Sequence, residues 1–241
     1  MRKIIGTLWI IAITLTASGC ATTGKRTLFS DVPIALVSIV SNYDINWKGE
    51  EPTMQSKASD MFRQIRHTDE DWVIITKADS LIDEAGDIIR STLEKSPHIN
   101  LVPGEKVFNS RSYNEARLDS LQVREQMVAP AGYRLVYNRD NKFYPAFARE
   151  TGIERTLFIT LDLTKEMYSG IGKNGNCRAN VDLNVLLKDE RGKNLFSKTY
   201  NVSSRDQIKV TAGAYSQEEL LELMRSAISD ACLVFLNDLG L

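Results

Sequence analysis

Cysteine is the residue type with the most evident chemistry in this chain of 241 residues, which contains three. Cys177 and Cys232 each fall on the apolar side of a predicted element, because Cys177 alternates in phase with Val181 and Cys232 follows Ile228 by about one helical turn. In an oxidising compartment such a pair could form a disulfide that closes a long loop. Two buried free thiols are the alternative. The sequence leaves both open.

The remaining reactive residue types form no recognisable catalytic or metal-binding set. The two histidines, His67 and His98, have no cysteine or carboxylate at ligand spacing, so we expect no metal site. Glycine-rich residues 170–175 lie between two predicted strands and lack the helix start that binds phosphate, which indicates a mobile hairpin loop. No nucleophile motif is present. The sequence therefore predicts a protein that is not an enzyme and has no cofactor.

The amino terminus has the pattern of an export signal. Arg2 and Lys3 precede an apolar run over residues 4–15 that contains no charge. A spanning helix needs about 20 predominantly apolar residues, so this run is too short to remain as an anchor. It closes on the small residues 17–19, directly before Cys20.

That ending resembles the lipobox of bacterial lipoproteins, in which small residues precede a cysteine that accepts lipid. The resemblance implies a signal peptide over residues 1–19 and acylation, including palmitate, at Cys20. Residues 20–30 would then be the lipidated cysteine and a tether, because they are small and polar. An ordinary cleaved secretory peptide is the alternative.

The expected location is the cell envelope, with a lipid anchor in the outer membrane and the protein facing the periplasm. Ala21 follows the cysteine, whereas an aspartate there would favour retention in the inner membrane. Loss of Arg2 and Lys3 with the signal leaves 28 of the 30 basic residues against 31 acidic ones. That balance is not typical of a nucleic-acid-binding protein.

Hydrophobic periodicity predicts alternating strands and helices. Strands are expected over residues 34–40, 99–102, 156–163, 177–187 and 195–202, and helices over 80–95, 112–127, 144–150 and 216–238. Ser80, Ser112 and Ser216 each stand three residues before an acidic residue, at the spacing of a capping box. The prediction is a single α/β (α+β) domain over residues 31–241, in two or three layers. Its mixed sheet has about four to five strands, a carboxy-terminal antiparallel hairpin and flanking helices.

Residues 41–72 form the least regular part, with one short helix expected over residues 57–66. The charged residues of that part are either a partner surface or a solvated face, the latter being commoner. They are Lys57, Arg63, Arg66, His67, Asp69, Glu70 and Asp71. Tyr43, Trp47 and Trp72 are either interface anchors or cover for the edge of the core.

The order of elements is similar to the α/β domain shared by the curli-secretion lipoprotein CsgG, the lipoprotein LpoB and the amino-terminal domain of TolB. The similarity rests on residues 34–40 as first strand, residues 148–160 as helix end, glycine turn and strand, the hairpin 181–203 and the helix 224–239. CsgG forms a pore from two long strand pairs. The corresponding connections, residues 167–176 and 203–215, are too short for membrane strand pairs, so pore formation does not transfer.

The sequence thus favours a non-catalytic binding or accessory lipoprotein that contacts the membrane through its lipid and binds an envelope protein. The alternative is an oligomerising subunit of a secretion or transport apparatus, assembled as a homo-oligomer through a sheet edge or residues 41–72.

Overall fold

A computed structural model describes residues 27–50 and 72–240. The strands are β1 Ile34–Asn42, β2 Asp44–Trp47, β3 Trp72–Val73, β4 Thr76–Lys77, β5 Met127–Val128, β6 Arg155–Ile171, β7 Asn174–Lys188, β8 Asn194–Ser203, β9 Ile208–Val210 and β10 Tyr215–Ser216. The helices are α1 Ile82–Lys95, α2 Gly104–Phe108, α3 Arg111–Asn114, α4 Leu121–Arg124, α5 Phe143–Thr151 and α6 Gln217–Asp238. A 3-10 turn, Ala78–Ser80, leads into α1, and residues 27–30 form one helical turn.

The sheet is organised around the long strand β6. One edge of β6 pairs in parallel with β1 and then with β2, while its other edge pairs antiparallel with β7. Strands β8 and β9 follow one another along the far edge of β7, and β5 and β4 extend the opposite side. This mixed sheet with its flanking helices confirms the predicted α/β class, although its eight strands exceed the number expected because both outer rows are broken into short pieces.

Helices α1 and α6 cover one face of the sheet. Every second residue of the strands is apolar and points to that face. The apolar stripes of the two helices pack against these strand residues, so the apolar side chains of strands and helices are buried together. The central members are Ala85, Ile89, Leu93, Leu157, Ile159, Leu161, Leu163, Val181, Leu183, Val185, Leu187, Leu220, Met224, Ala227, Ile228, Ala231 and Phe235. This face is the main core.

The opposite face is covered only over its first part. A second cluster packs α5 and the segment from α2 to α3 against the start of β1 and β6. Its members include Ala35, Val37, Val107, Tyr113, Phe143, Tyr144, Phe147 and Phe158. Beyond Phe158 the outward side chains of β6 are polar, and that difference positions the candidate site described below.

Three of the predicted helices, those over residues 80–95, 144–150 and 216–238, are confirmed by α1, α5 and α6. Helix α5 ends as predicted at Gly152, whose φ of 70° is the left-handed conformation that glycine adopts at little cost. The single helix predicted over residues 112–127 is wrong. Two short helices, α3 and α4, replace it because Leu118 between them pairs with Val136 in an isolated bridge and so leaves the helical path.

The predicted capping residues have different outcomes. Ser216 is confirmed, because its Oγ accepts from the backbone N–H of Glu219 at 3.4 Å. The prediction for Ser80 is wrong, since its hydroxyl donates instead to the carbonyl of Lys77. The prediction that Ser112 is a capping residue is also wrong, because Ser110 caps helix α3.

Two strand predictions need correction. Residues 99–102 form only an isolated parallel bridge, between Leu101 and Ile34, because Pro103 removes a donor and turns the chain into α2. Residues 41–72 are expected to be irregular, but the first of them form strands. Strand β1 continues to Asn42 and β2 follows after one residue. The helix predicted over residues 57–66 lies outside the described residues.

The folded body begins earlier than the predicted boundary at residue 31. Phe29 is fully buried and makes edge-to-face contacts with Phe196 and Phe235, with ring centroids 5.5 Å apart in each pair. The guanidinium of Arg155 donates to the carbonyls of Thr27 and Leu28. The last four residues of the predicted tether therefore belong to the folded body.

Candidate functional site

The uncovered part of the second sheet face carries a continuous set of polar side chains, called the polar face below. Strict alternation along β6, β7 and β8 sends apolar residues to the main core and these residues outward. The polar face comprises Thr160, Asp162, Thr164, Glu166, Asn180, Asp182, Asn184, Thr199, Asn201 and Ser203. It is broad and rich in hydrogen-bonding groups.

Hydrogen bonds between neighbouring strands fix several of these side chains. The amide of Asn201 donates to Asp182 Oδ1 at 2.6 Å, and the hydroxyl of Ser203 donates to Glu166 Oε1 at 2.6 Å. Asn180, which is buried, donates from its amide to Ser203 Oγ at 3.0 Å. The polar face is therefore preorganised, which reduces the entropy lost when such side chains bind a ligand.

Two carboxylates lie side by side on the polar face. Asp162 on β6 is directly opposite Asp182 on β7. Partial burial, together with the negative charge of Asp182, raises the pKa of Asp162. The pair offers hydrogen-bond acceptors to a ligand. The arrangement is suited to binding.

A shallow cavity of about 190 Å³ adjoins the polar face on the side of β1. Its lining is largely apolar and includes Val40, Val123 and Phe158, with Asp119 at its rim. Helix α4 borders it and leaves Leu121 largely exposed. The cavity has room for an apolar side chain.

Trp47 packs into the edge of the core, which favours that alternative over an interface anchor for this residue. Its ring lies 5.2 Å from the ammonium of Lys165, and Tyr215 lies 5.0 Å from the same ammonium. Lys165 is buried and donates to the carbonyl of Ile45 at 2.6 Å. These cation–π and hydrogen-bond contacts satisfy a charge inside the protein.

The two other predicted aromatic anchors are half-buried. The ammonium of Lys77 lies over the ring of Tyr43, at 5.1 Å from its centroid. Trp72 belongs to β3, which pairs with β10. Tyr43 thus lies between β1 and β2 of the main sheet, whereas Trp72 lies in a separate two-stranded sheet.

Cys177 and Cys232 are buried free thiols in the structure, which is the second of the two alternatives that the sequence leaves open. Burial raises the pKa of Cys177 to about 11, with a smaller opposing effect from the charge of Lys165. Burial raises the pKa of Cys232 to about 12. Both are therefore protonated at neutral pH.

The predicted glycine-rich loop forms the end of the β6–β7 hairpin. Gly170 and Gly175 face one another so closely that a Cβ on Gly170 would lie 2.0 Å from the carbonyl oxygen of Asn174. The glycines are thus required by the close approach of two strands.

The other predicted site residues are not brought together. Cys20, His67 and the charged residues 57–71 lie outside the described residues. Within residues 27–50 and 72–240, no group of three or more His, Cys, Asp or Glu side chains could hold a metal ion. No helix in the same ranges is long and apolar enough to cross a bilayer.

The polar face was not among the sites predicted from the sequence. A signal was present, since Thr160, Asp162, Thr164 and Glu166 alternate with apolar residues, but it reads equally well as an ordinary solvated strand. What distinguishes the face is that no helix within residues 27–50 and 72–240 covers it, and that depends on non-local packing.

Comparisons with known proteins place this chain in no family. No family model and no curated protein matches it. Among solved structures, the LpoB C-terminal domain from Salmonella enterica shares 10% identity with a TM-score of 0.30, over 72% of this chain and 84% of that one. The hypothetical protein CT253 from Chlamydia trachomatis has 11% sequence identity and a TM-score of 0.31, and the match covers 72% of each chain. Lipoprotein GNA1162 from Neisseria meningitidis has 14% sequence identity and a TM-score of 0.32, and the match covers 84% of this chain and 99% of that one. These similarities assign no function to the chain.

Proposed function

We propose that this protein is a non-catalytic lipoprotein of the bacterial cell envelope that binds another envelope component through its polar face. The observation that carries the proposal is a preorganised half of one sheet face that no described helix covers, opposite the face on which α1 and α6 pack. A sheet face left free of helices while its side chains are held in place is suited to docking.

The lipid anchor is the second part of the proposal. It is supported by the positive start, the short apolar run and the small residues before Cys20. Acyl chains contribute about 0.8 kcal/mol per buried methylene, so several chains on one cysteine would hold the protein to a bilayer. The identity of residue 21 favours the outer membrane and a periplasmic position.

Replacement of Cys20 tests the anchor. In cells fed radioactive palmitate, the wild-type protein is expected to carry label and to sediment with membranes. The Cys20→Ala variant is expected to carry no label and to leave the membrane fraction. A Cys177→Ala variant is the matched control, because that thiol is buried and should leave both results unchanged. An unlabelled wild-type protein would contradict the proposal.

Introduction of a positive charge tests the polar face. A binding partner is first identified by crosslinking in native membranes and mass spectrometry, then purified. Asn201→Lys places a positive charge on the polar face and should weaken binding roughly tenfold or more, because it displaces the hydrogen bond to Asp182. Leu233→Lys lies on the exposed side of α6, behind the main core, and should leave affinity unchanged. Equal effects of both variants would contradict the proposal.

A further inference from the structure

The end of the β6–β7 hairpin exposes large side chains that no other part of the described chain covers. Ile171 is 89% exposed at the turn and Tyr168 is 54% exposed three residues earlier. Arg178 stacks on the ring of Tyr168, with its guanidinium carbon 3.6 Å from the ring centroid. These three residues are called the tip patch. They adjoin the polar face, since Arg178 is paired in register with Glu166.

The turn beside the tip patch is braced by contacts from residues 173 and 174 to other parts of the chain. Lys173 forms an ion pair with Glu50 at 2.9 Å, and its carbonyl accepts from the N–H of Gly213 at 2.8 Å. Asn174 Oδ1 accepts from the N–H of Ala212, whose φ of 52° is unusual for a residue with a side chain. Such a conformation persists only where its surroundings enforce it. An exposed isoleucine on a braced turn loses little conformational freedom on binding.

The patch is remote from the anchored end of the body. Thr27 and Leu28 bind Arg155 at the start of β6, and Ile171 is the last residue of that 17-residue strand. At about 3.3 Å per residue, the two ends of β6 are about 50 Å apart. The seven steps from Cys20 to Thr27 span at most about 25 Å. The anchor therefore holds the end of the protein opposite the tip patch.

The charge of Arg178 indicates the chemistry of the partner. No carboxylate in the described part of the chain forms an ion pair with Arg178, and its buried Nε has no hydrogen-bond partner there. An arginine stacked on an aromatic ring favours a carboxylate in a fixed geometry. A partner for the patch needs an apolar pocket for an aliphatic side chain and an acidic residue beside it.

We infer that the tip patch extends the binding surface of the polar face and contacts a protein on the side away from the anchoring membrane, with Ile171 entering an apolar pocket and Arg178 pairing with a carboxylate. The inference rests on the proposed function, because the anchor sets which end faces the membrane. The inference adds where on the protein the partner binds and which side chains the partner must offer. The bilayer itself and a second copy of the chain are the competing occupants.

Site-specific photocrosslinking in cells that naturally express the protein tests the inference. A photoreactive phenylalanine derivative replaces Ile171, Asn201 on the polar face or Leu233 on α6 in separate lipidated proteins. We expect a light-dependent adduct with one protein at 171 and none at 233. Adducts with lipid, with a second copy of the chain, or equally at 171 and 233 would overturn the inference.

The purified adduct protein then provides a quantitative test. Ile171→Ser and Arg178→Glu should each weaken binding roughly tenfold or more, while Leu233→Ser should change it by less than about twofold. Urea unfolding verifies that Ile171→Ser leaves the fold intact, which is expected of so exposed a side chain. Unchanged affinity in both tip variants would overturn the inference.

The outcomes distinguish the inference from the proposed function. An adduct at 201 without one at 171 would overturn the tip patch and leave partner binding by the polar face in place. An adduct at 233 alone would overturn both. Mass spectrometry of the same preparation measures acylation of Cys20, which tests the lipid anchor independently of partner binding.

Discussion

Polar side chains on the open half of the sheet are bound to one another across strands. Asn180, Asn201 and Ser203 link three strands, and Glu166 receives hydrogen bonds from Ser203 and from Lys48 at 3.2 Å. Asp162, by contrast, faces a like charge on Asp182. Like charges directly opposite on neighbouring strands are destabilising.

Asp162→Asn is expected to stabilise the protein at neutral pH. A carboxyl whose pKa is raised in the folded state favours folding in its protonated form, so stability falls as pH rises from the unfolded to the folded pKa. The substitution should raise the free energy of unfolding at pH 7 by about 0.5 kcal/mol and have less effect near pH 3. Urea unfolding at the two pH values measures this. Asp206→Asn is the exposed control, and a stabilisation larger at pH 3 would contradict the account.

The two buried thiols should be unreactive in the native protein. In a Cys20→Ser variant, a thiol-specific chromogenic disulfide at pH 8 is expected to modify neither Cys177 nor Cys232, because both are buried with pKa values raised to about 11 and about 12. In denaturant both should react at once. A native protein that lacks the mass of two thiol hydrogens would show instead that a disulfide forms.

At the scale of single elements, hydrophobic periodicity predicts the long helices and the interior of the hairpin well, because their burial pattern is local in sequence. It fails where tertiary contacts determine the bounds of an element. Strand β6 continues to Ile171 through Ser169 and Gly170, which have little tendency to form strands, because the turn at residues 211–214 braces the hairpin end. The division of residues 112–127 into two helices likewise depends on a bridge to Val136.

The helix caps give a matched test at this scale. Ser216→Ala removes the acceptor for the N–H of Glu219 and should cost about 1 kcal/mol of unfolding free energy. Ser80→Ala has the same sequence signature but removes only an exposed bond to the carbonyl of Lys77, so its effect should stay within about 0.5 kcal/mol. Urea denaturation of both variants measures the difference. Equal costs would contradict the assigned capping roles.

For the molecule as a whole, the amino-terminal segment and the hairpin end define two opposite poles. Phe29 inserts between Phe196 and Phe235 and so joins the start of the folded body to β8 and α6. The sequence could not indicate this, because one phenylalanine among small polar residues has no periodicity. Nine chain steps separate Phe29 from Cys20.

Phe29→Ala should therefore destabilise the whole fold. Loss of a fully buried ring costs about 3–5 kcal/mol, and thermal unfolding should occur at a markedly lower temperature. Ser30→Ala, one residue further on, should change the free energy of unfolding by less than about 0.5 kcal/mol. If residues 27–30 were an unstructured tether, both variants would behave alike.

The mass of the amino-terminal peptide tests the central claim most directly. Protein isolated from the membranes of its native cells is digested, and the peptide that contains residue 20 is measured. We expect a peptide that begins at Cys20 and carries acyl chains on that residue. A peptide that still contains Met1 and residues 2–19, recovered from cytosol without lipid, would contradict it.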